Sequence, residues 1–220
     1  MSCGRTPVVV FGGAVRGAGR RPLVYPDFFT RIPPGAIRFS MANPFGMVYD
    51  CITMIPIISI VGKSNSGKTT LIEKLIAELT HRGWRVATIK HNRHGFEIDH
   101  EGKDSWRHKK AGAVTTVLVS PRQVAVIEDV EMDYDLAEIR ERYIRNADII
   151  LAEGYKGNPH PKIEVFRSEL RQERLCGPED NLIALAADQP VSAGVPCFDR
   201  NDATGIAELI EKLFLPRKGF

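Results

Sequence analysis

A glycine-rich octapeptide, GKSNSGKT at Gly62–Thr69, contains the residues of this chain whose types and spacing best suit chemistry. It fits the phosphate-loop (Walker A) pattern G-x-x-x-x-G-K-[ST] at every fixed position. Gly62 and Gly67 allow the backbone to approach a phosphate closely, because they have no Cβ. The N–H groups of the loop and the start of the following helix together favour an anion. The sequence therefore predicts a site for the phosphates of a nucleotide.

The pattern also predicts a role for individual side chains of this loop. Lys68 should reach the β- and γ-phosphates, and the Thr69 hydroxyl should bind Mg²⁺. Thr70 should contact the α-phosphate. Lys63 has two interpretations: it reaches the nucleotide of a dimer partner, as a second loop lysine does in one branch of phosphate-loop enzymes, or it is a solvated side chain. The nucleotide-binding residues predicted in the loop are Gly62, Lys63, Ser64, Asn65, Ser66, Gly67, Lys68, Thr69 and Thr70.

Two carboxylates are predicted on the Mg²⁺ side of the nucleotide. Glu153 directly follows the apolar run IILA, where the Walker B acid of a phosphate-loop protein lies. Asp99 lies in the loop after the second predicted strand, and a hard oxygen ligand there could hold Mg²⁺ or orient a water. We therefore assign Lys68, Asp99 and Glu153 as catalytic residues. The predicted metal ligands are Thr69, Asp99 and Glu153.

The remaining polar candidates are less informative. Asp188 follows the apolar run LIALAA, and a carboxylate there can accept hydrogen bonds from the N1–H and the exocyclic amine of guanine. Since the full N-K-x-D pattern is missing, the residues alone leave GTP and ATP both open. His91, His94 and His100 have a spacing that is weak as a ligand pattern and is accompanied by no cysteine. They are interpreted as structural or substrate-contacting residues.

Strand and helix signals alternate along the chain from Met54 onward, which favours an α/β fold with a mostly parallel sheet and helices on both faces. A phosphate loop between the first strand and the first helix specifies the P-loop NTPase version of that fold. Ser120-Pro121-Arg122 is a turn signal, so the two runs beside it should form a hairpin or adjacent strands. The predicted strands are Ile55–Val61, Arg85–Lys90, Ala113–Ser120, Gln123–Asp129, Asp148–Ala152, Lys162–Arg167 and Leu182–Ala187. The predicted helices are Thr70–Leu79, Lys103–Gly112, Tyr134–Arg145 and Ala203–Phe214.

Residues 1–53 differ from the rest in composition. They are rich in Gly, Pro and Arg, and show no sustained strand or helix period beyond Val8–Phe11. We predict a low-order N-terminal extension, either unstructured or upstream sequence from a wrong start choice, followed by a nucleotide-binding domain over 54–220. A targeting segment is the alternative, since the stretch is arginine-rich and poor in acids.

The charge is unevenly distributed. Residues 1–53 contain six arginines and two acids, out of 30 basic and 27 acidic residues in the chain. This leaves 24 basic and 25 acidic residues for 54–220, which is close to neutral despite the net charge of +3. A neutral domain lacks the basic footprint of a nucleic-acid-binding protein, so no nucleic-acid partner is predicted.

Composition and cysteine usage further limit the class of protein that this chain can be. The chain of 220 residues is 43% apolar and 26% charged, and it contains no run of eighteen apolar residues, so no membrane contact is predicted. Its four cysteines lack C-x-x-C spacing, which argues against a zinc site and a disulfide framework and favours a reducing, cytoplasmic location.

The motifs taken together resemble the MobB family, the adapter proteins of molybdopterin-guanine dinucleotide biosynthesis within the phosphate-loop class of dimeric GTPases. The likeness covers residues 54–214, and the family pattern does not need residues 1–53. The motifs that carry it are GKSNSGKTTL, IKHNRH, GKDS, KKAGA, LAEGYK and KIEVFR.

This resemblance implies a homodimeric protein that binds GTP with Mg²⁺ and hydrolyses it weakly, so any enzymatic activity is at most that of a slow GTPase. It would assist a partner, the molybdopterin guanylyltransferase, which attaches GMP to molybdenum-molybdopterin. By position, Gly62–Thr70 become the nucleotide loop, and Asp99 and Glu153 the acids on the metal side. His91 and Lys103 fall within the patterned loop of the family, but their roles do not follow from the sequence.

Two other classes remain open. A GTPase metallochaperone for metal-centre maturation usually shows a Cys-His metal motif and a clear guanine signature, and both are missing here. A small-molecule phosphotransferase would need an acceptor site and an arginine-rich lid. Arg140, Arg142 and Arg145 share one predicted helix, but they are expected to form a solvated face.

Overall fold

The computed structural model of the chain describes residues 9–10, 36–42, 48–92, 95–170, 173–177 and 179–216. The chain divides into two compact units, one formed by Met1–His91 with Leu136–Phe220 and the other by Asn92–Asp135. In the described ranges, no helix is long and apolar enough to cross a membrane.

The strands follow one another in chain order as β1 (Val9–Val10), β2 (Ala36–Ala42), β3 (Val48–Met54), β4 (Ile57–Val61), β5 (Val86–Lys90), β6 (Thr115–Val119), β7 (Val124–Glu128), β8 (Ile149–Glu153), β9 (Lys162–Phe166), β10 (Leu182–Ala187) and β11 (Cys197–Asp199). The α-helices are α1 (Lys68–His81), α2 (Asp104–Lys110), α3 (Leu136–Tyr143) and α4 (Ala203–Phe214), and a short 3₁₀ helix covers Ser168–Leu170.

The main sheet has six strands in the order β11-β10-β9-β4-β8-β5, and every pairing is parallel. This confirms the predicted α/β class. The strand before the phosphate loop, β4, is central and buried at all five positions. Its run of β-branched residues is typical of a parallel strand covered on both faces.

Successive residues of the central strands alternate between two apolar layers. Ile58 and Ile60 of β4 pack in one core with buried residues of α1 and α4, among them Leu75 and Ile206. Ile57 packs in the other core, on the opposite face, together with residues of β8 and α3. The period-2 alternation of the strand explains this division. Helices therefore cover both faces, as predicted.

Helix α1 follows the phosphate loop because its apolar residues recur at helical spacing. Leu71, Ile72, Leu75 and Leu79 are its buried residues. The closing helix α4 begins at the Asp202 cap, whose carboxylate accepts a hydrogen bond from the Gly205 N–H at 2.8 Å.

The N-terminal region departs from its prediction in part. Strands β1, β2 and β3 form a three-stranded antiparallel sheet in the order β1-β3-β2. The expectation of no strand period after Val8–Phe11 is therefore wrong for β2 and β3. Met54 is the last residue of β3, whereas it was expected to precede the first strand. Most of 1–53 lies outside the described residues, so the domain boundary stays a prediction.

Two further differences concern short or polar features. The three-residue strand β11 and the 3₁₀ helix were not predicted, because neither has an apolar run long enough to be recognised. Arg140 of α3 was expected on a solvated face, but its side chain is only 12% exposed and it donates a hydrogen bond to the Ile55 carbonyl at 3.4 Å.

The unit Asn92–Asp135 contains helix α2 and a hairpin. Strands β6 and β7 pair antiparallel as a separate two-stranded sheet, which confirms the hairpin interpretation. Lys109 of α2 fixes the base of this hairpin, since its ammonium donates to the Ala113 and Val114 carbonyls and pairs with Asp129 at 2.5 Å. One face of the hairpin presents four exposed valines: Val117, Val119, Val124 and Val126.

Candidate functional site

The backbone of Gly62–Thr69 has the conformation that its glycines permit. Gly62 has a φ of 154°, and a Cβ there would lie 2.5 Å from the Val165 carbonyl oxygen and 2.6 Å from the Ser66 hydroxyl oxygen. Any other residue would therefore displace backbone. Gly67 has a φ of 101° and provides the left-handed residue directly before α1. Asn65 is also left-handed, at 61°, a conformation that asparagine tolerates.

Lys68 is the first residue of α1 and points its ammonium back into the loop. Its Nζ donates a hydrogen bond to the Lys63 carbonyl oxygen at 2.7 Å. Burial lowers the pKa of Lys68, while the charge of Glu153 acts in the opposite direction and Lys90 lowers the pKa further. A phosphate beside this ammonium would relieve the cost of burying its charge.

Thr69 and Glu153 meet at the edge of the loop. The Thr69 hydroxyl donates to Glu153 Oε1 at 3.0 Å, and Lys90 Nζ lies 3.5 Å from Glu153 Oε2. The strand register explains this convergence, because Glu153 is paired with Ile60 on one side and with Lys90 on the other. Glu153 and Lys90 therefore lie at the carboxyl ends of neighbouring parallel strands, where ligands of such sheets bind, and Thr69 reaches Glu153 from the first turn of α1.

A cavity of about 580 Å³ opens beside the loop. This volume falls in the usual range for small-molecule sites. The lining residues are Ser64, Asn65, Gly67, Lys68, Thr69, Thr70, Leu71, Glu153, Arg167, Arg200 and Asn201. The structure thus brings the central loop residues and Glu153 together. Gly62, Lys63 and Ser66 belong to the loop without lining the cavity.

Three polar lining residues were missed by the sequence reasoning, besides the apolar Leu71. Arg167 directly follows β9, and Arg200 and Asn201 directly follow β11. The rule that ligands bind at strand ends would have indicated Arg167 from the predicted strand Lys162–Arg167. It could not indicate the other two, because β11 was not recognised.

Asp188 lies beside this region but does not line the cavity. Both of its carboxylate oxygens accept hydrogen bonds from Ser168, from the backbone N–H at 3.0 and 3.1 Å and from the hydroxyl at 3.1 Å. These bonds, the backbone one foremost, lower the pKa of Asp188. In this structure Asp188 therefore anchors the start of the 3₁₀ helix, and its guanine-reading role stays a prediction.

Asp99 belongs to the other compact unit, Asn92–Asp135. Its Oδ1 accepts from the His100 N–H at 2.9 Å, and its Oδ2 is buried without a hydrogen-bond partner in the described part of the chain. Asp99 lines a separate cavity of about 420 Å³ together with residues of α2 and β6. Its predicted role as a metal-side acid stays a prediction.

The histidines of this region have different surroundings. His91 packs its ring against Tyr155 at 4.4 Å between centroids, which agrees with a structural role. His94 lies outside the described residues. Within the described chain, no group of three or more His, Cys, Asp or Glu side chains is arranged to hold a metal.

The residues present fit both groups that the phosphate-loop pattern implies. The cradle at Gly62, which a Cβ would fill, and the buried Lys68 ammonium suit a nucleotide phosphate. The Thr69 hydroxyl and the Glu153 carboxylate are hard oxygen donors 3.0 Å apart, which suit Mg²⁺. A parallel sheet, a phosphate loop after its central strand and an acid at the end of the next strand define the class: the chain has a P-loop NTPase fold.

Comparison with known proteins specifies the family. The family model described as MobB, molybdopterin guanine dinucleotide synthesis protein B, matches residues 57–188, and the chain belongs to this family. Two relatives are each named molybdopterin-guanine dinucleotide biosynthesis adapter protein. The one from Haemophilus influenzae is 37% identical over 75% of this chain and 94% of its own length. The one from Escherichia coli is 36% identical over 76% of this chain and 98% of its own length.

Solved structures agree with this assignment. A crystal structure of molybdopterin-guanine biosynthesis protein B is 33% identical, with a TM-score of 0.56 over 73% of this chain and 99% of that one. The crystal structure of Bacillus subtilis MobB is 29% identical, with a TM-score of 0.59 over 71% of this chain and 96% of that one. The resemblance recognised from the motifs is thereby confirmed.

Proposed function

We propose that this protein is a GTP-binding adapter of molybdopterin-guanine dinucleotide biosynthesis. It binds GTP with Mg²⁺ in the cavity beside Gly62–Thr70, and it assists the guanylyltransferase that attaches GMP to molybdenum-molybdopterin. Any hydrolysis of GTP is slow. The protein acts in the cytoplasm as a homodimer.

One observation carries this proposal: Lys68, Thr69 and Glu153 converge on one cavity in a chain that is 36–37% identical to two adapter proteins. Lys68 holds the charge of the β- and γ-phosphates, and Thr69 and Glu153 provide the oxygen ligands of the ion. A bound Mg²⁺ would neutralise phosphate charge.

The partner and the homodimer rest on the family resemblance. Both curated relatives are named as adapters, and an adapter acts through another protein. The choice of GTP over ATP rests on the same resemblance. Asp188 does not add to it, because its carboxylate is engaged by Ser168 in this structure. Lys63, which is exposed, is proposed to reach the nucleotide of the second copy.

Isothermal titration of the full chain with GTP, GDP and ATP, each with and without Mg²⁺, tests the nucleotide part. GTP should bind more tightly than ATP, and Mg²⁺ should strengthen the binding of GTP. The adapter part is tested by adding the protein to the purified guanylyltransferase with GTP and molybdenum-molybdopterin. An unchanged rate of GMP attachment, with no complex between the two proteins, would overturn it.

Product analysis separates this function from the two alternatives. Slow release of free phosphate from GTP agrees with an adapter GTPase. A phosphorylated small molecule would identify a phosphotransferase, and stoichiometric binding of a transition metal ion that depends on GTP would identify a metallochaperone.

A further inference from the structure

Arg200 contributes an uncompensated positive charge to the wall of the nucleotide cavity. It lines the cavity, and its Nε is buried without a hydrogen-bond partner among the described residues. In the same part of the chain, no carboxylate lies within ion-pairing distance of its guanidinium. Arg200 as a whole is half-buried, and a guanidinium with a buried, unpartnered N–H at the wall of a cavity is suited to bind an anion there.

The neighbours of Arg200 are engaged elsewhere. Arg167, the other arginine of the cavity, pairs with Glu169 at 2.6 Å. Both oxygens of Asp188 accept from Ser168. Asn201 accepts a hydrogen bond from Lys74 of α1 at 2.6 Å. Arg200 is therefore, like Lys68 of the loop itself, a lining cation that no carboxylate pairs with among the described residues.

The strand register places Arg200 on the flank of the loop opposite to Glu153. Phe166, Ala187 and Asp199 are paired across β9, β10 and β11, so the residue after each of them leaves the sheet on this side. Glu153 ends β8, which lies on the other side of β4. The two flanks of the phosphate loop are thus chemically different, one acidic at Glu153 and one cationic at Arg200.

The distance to the loop indicates which part of a nucleotide Arg200 can meet. Its Nη1 lies 3.6 Å from the position that a Cβ on Gly67 would occupy. Gly67 directly precedes α1, and Thr70, the residue assigned to the α-phosphate, lies in the first turn of that helix. Thr69 and Glu153, by contrast, mark the Mg²⁺ side. A nucleotide bound in the loop would therefore present the ribose-proximal end of its phosphate chain to Arg200.

We propose that Arg200 binds the α-phosphate of the nucleotide, and thus the part that GDP and GTP share. A planar guanidinium is suited to this contact, because it can donate two parallel hydrogen bonds to phosphate oxygens. The inference rests on the proposed function, since it requires that the cavity binds a nucleotide. It adds that affinity for GDP and GTP depends on this cation independently of Mg²⁺.

Titration calorimetry of the full chain tests the proposal with Arg200→Ala, Arg200→Lys and a control, Arg145→Ala, at an exposed arginine. Arg200→Ala should lower the affinities for GDP and for GTP by the same factor, tenfold or more, both with Mg²⁺ and with EDTA. Arg200→Lys should retain part of the affinity, because it keeps the charge. The control should bind like wild type.

Melting of the nucleotide-free proteins separates this role from a structural one. Removing an uncompensated cation should leave the Tm of Arg200→Ala unchanged or raise it, while the increase in Tm caused by GDP becomes smaller. A lowered Tm together with wild-type nucleotide affinity would overturn the proposal and make Arg200 structural. Loss of GTP affinity alone, with GDP unaffected, would also overturn it, because the contact would then be to the γ-phosphate.

Failure of the inference and failure of the proposed function give different results. If wild type binds GDP and GTP and Arg200→Ala binds them equally well, only the inference is wrong. If wild type binds neither nucleotide, the proposed function fails and the inference fails with it.

Discussion

Lys68 is the side chain on which phosphate binding depends most directly. Its ammonium is partly buried, which lowers its pKa, and among the described residues it donates only to the Lys63 carbonyl. Lys68→Ala should therefore reduce GTP affinity by at least about a hundredfold, ~2.8 kcal/mol, with little change in Tm. Titration with GTP measures the first and thermal melting the second. The matched control is Lys212→Ala on the exposed part of α4. Affinity within about twofold of wild type would place the nucleotide elsewhere.

Glu153 is expected to act through Mg²⁺. Glu153→Gln keeps the shape of the side chain and its acceptor for Thr69, but it removes the charge that faces the proposed ion. Mg²⁺-dependent GTP affinity or hydrolysis should fall tenfold or more, ~1.4 kcal/mol, while Mg²⁺-free GDP binding changes little. Affinities measured with Mg²⁺ and with EDTA test this, against Glu73→Gln on the exposed face of α1. A wild-type response to Mg²⁺ would remove the Walker B assignment.

Asp99 belongs to the compact unit Asn92–Asp135, and its proposed role at the ion is tested separately. If it serves the ion, Asp99→Asn should reduce the Mg²⁺-dependent affinity for GTP by about tenfold, ~1.4 kcal/mol, as Glu153→Gln does. The control in the same unit is Asp104→Asn, whose carboxylate is 91% exposed. If Asp99→Asn changes the Tm but not the response to Mg²⁺, the carboxylate stabilises the unit Asn92–Asp135 and does not hold the ion.

At the scale of elements, Asp188 fixes the 3₁₀ helix Ser168–Leu170 to the end of β10. Its pKa is lowered in the folded state, so the stabilisation is present above the pKa of the unfolded chain, ~3.9, and is lost as the pH falls through the folded value. Asp188→Asn should lower the Tm at neutral pH by about 2 °C, and the difference should disappear in acid. Melting curves from pH 7 downward measure this. Unchanged stability at pH 7 together with a lost preference for GTP over ATP would instead support the guanine-reading role.

The elements differ in how well the sequence predicts them, for a physical reason. Strands β4, β8 and β10 are buried on both faces and therefore read as continuous apolar runs. β11 has three residues, two of them exposed, and gives no such signal. In β2, Ile37, Phe39 and Met41 alternate with polar or small residues, a signal that the high Gly, Pro and Arg content of the region obscured.

The same distinction applies to the candidate site. The phosphate loop could be predicted because its chemistry is contained in one contiguous stretch. Glu153 could be predicted because it ends a recognisable strand. Arg167 stands at the end of a predicted strand and could have been indicated by that position, although an arginine there looks the same whether it is solvated or faces a ligand. Arg200 could not be predicted, because β11 was not recognised. Only the strand order β11-β10-β9-β4 brings them to the loop.

The family model matches residues 57–188 of the 220 residues in the chain. The two adapter relatives are matched over 94% and 98% of their own lengths but over only 75% and 76% of this chain. The two apolar cores are built from described residues that begin at Ile55. Strand β3, however, runs up to Met54, directly before these cores.

Deletion of residues 1–52 should therefore leave a folded protein with wild-type GTP affinity and a Tm within about 2 °C of the full chain, ~0.5–1 kcal/mol. The physical reason is that the proposed site and the described members of both cores all lie at or after Ile55. Melting curves and GTP titrations of the two proteins, measured side by side, test this. Lys68→Ala in the shortened chain is the control, since it should lose GTP binding as it does in the full chain. A Tm lowered by several degrees, with GTP affinity retained, would show that the strands before Met54 stabilise the domain. The predicted boundary at residue 54 would then be wrong, while the nucleotide site would stand.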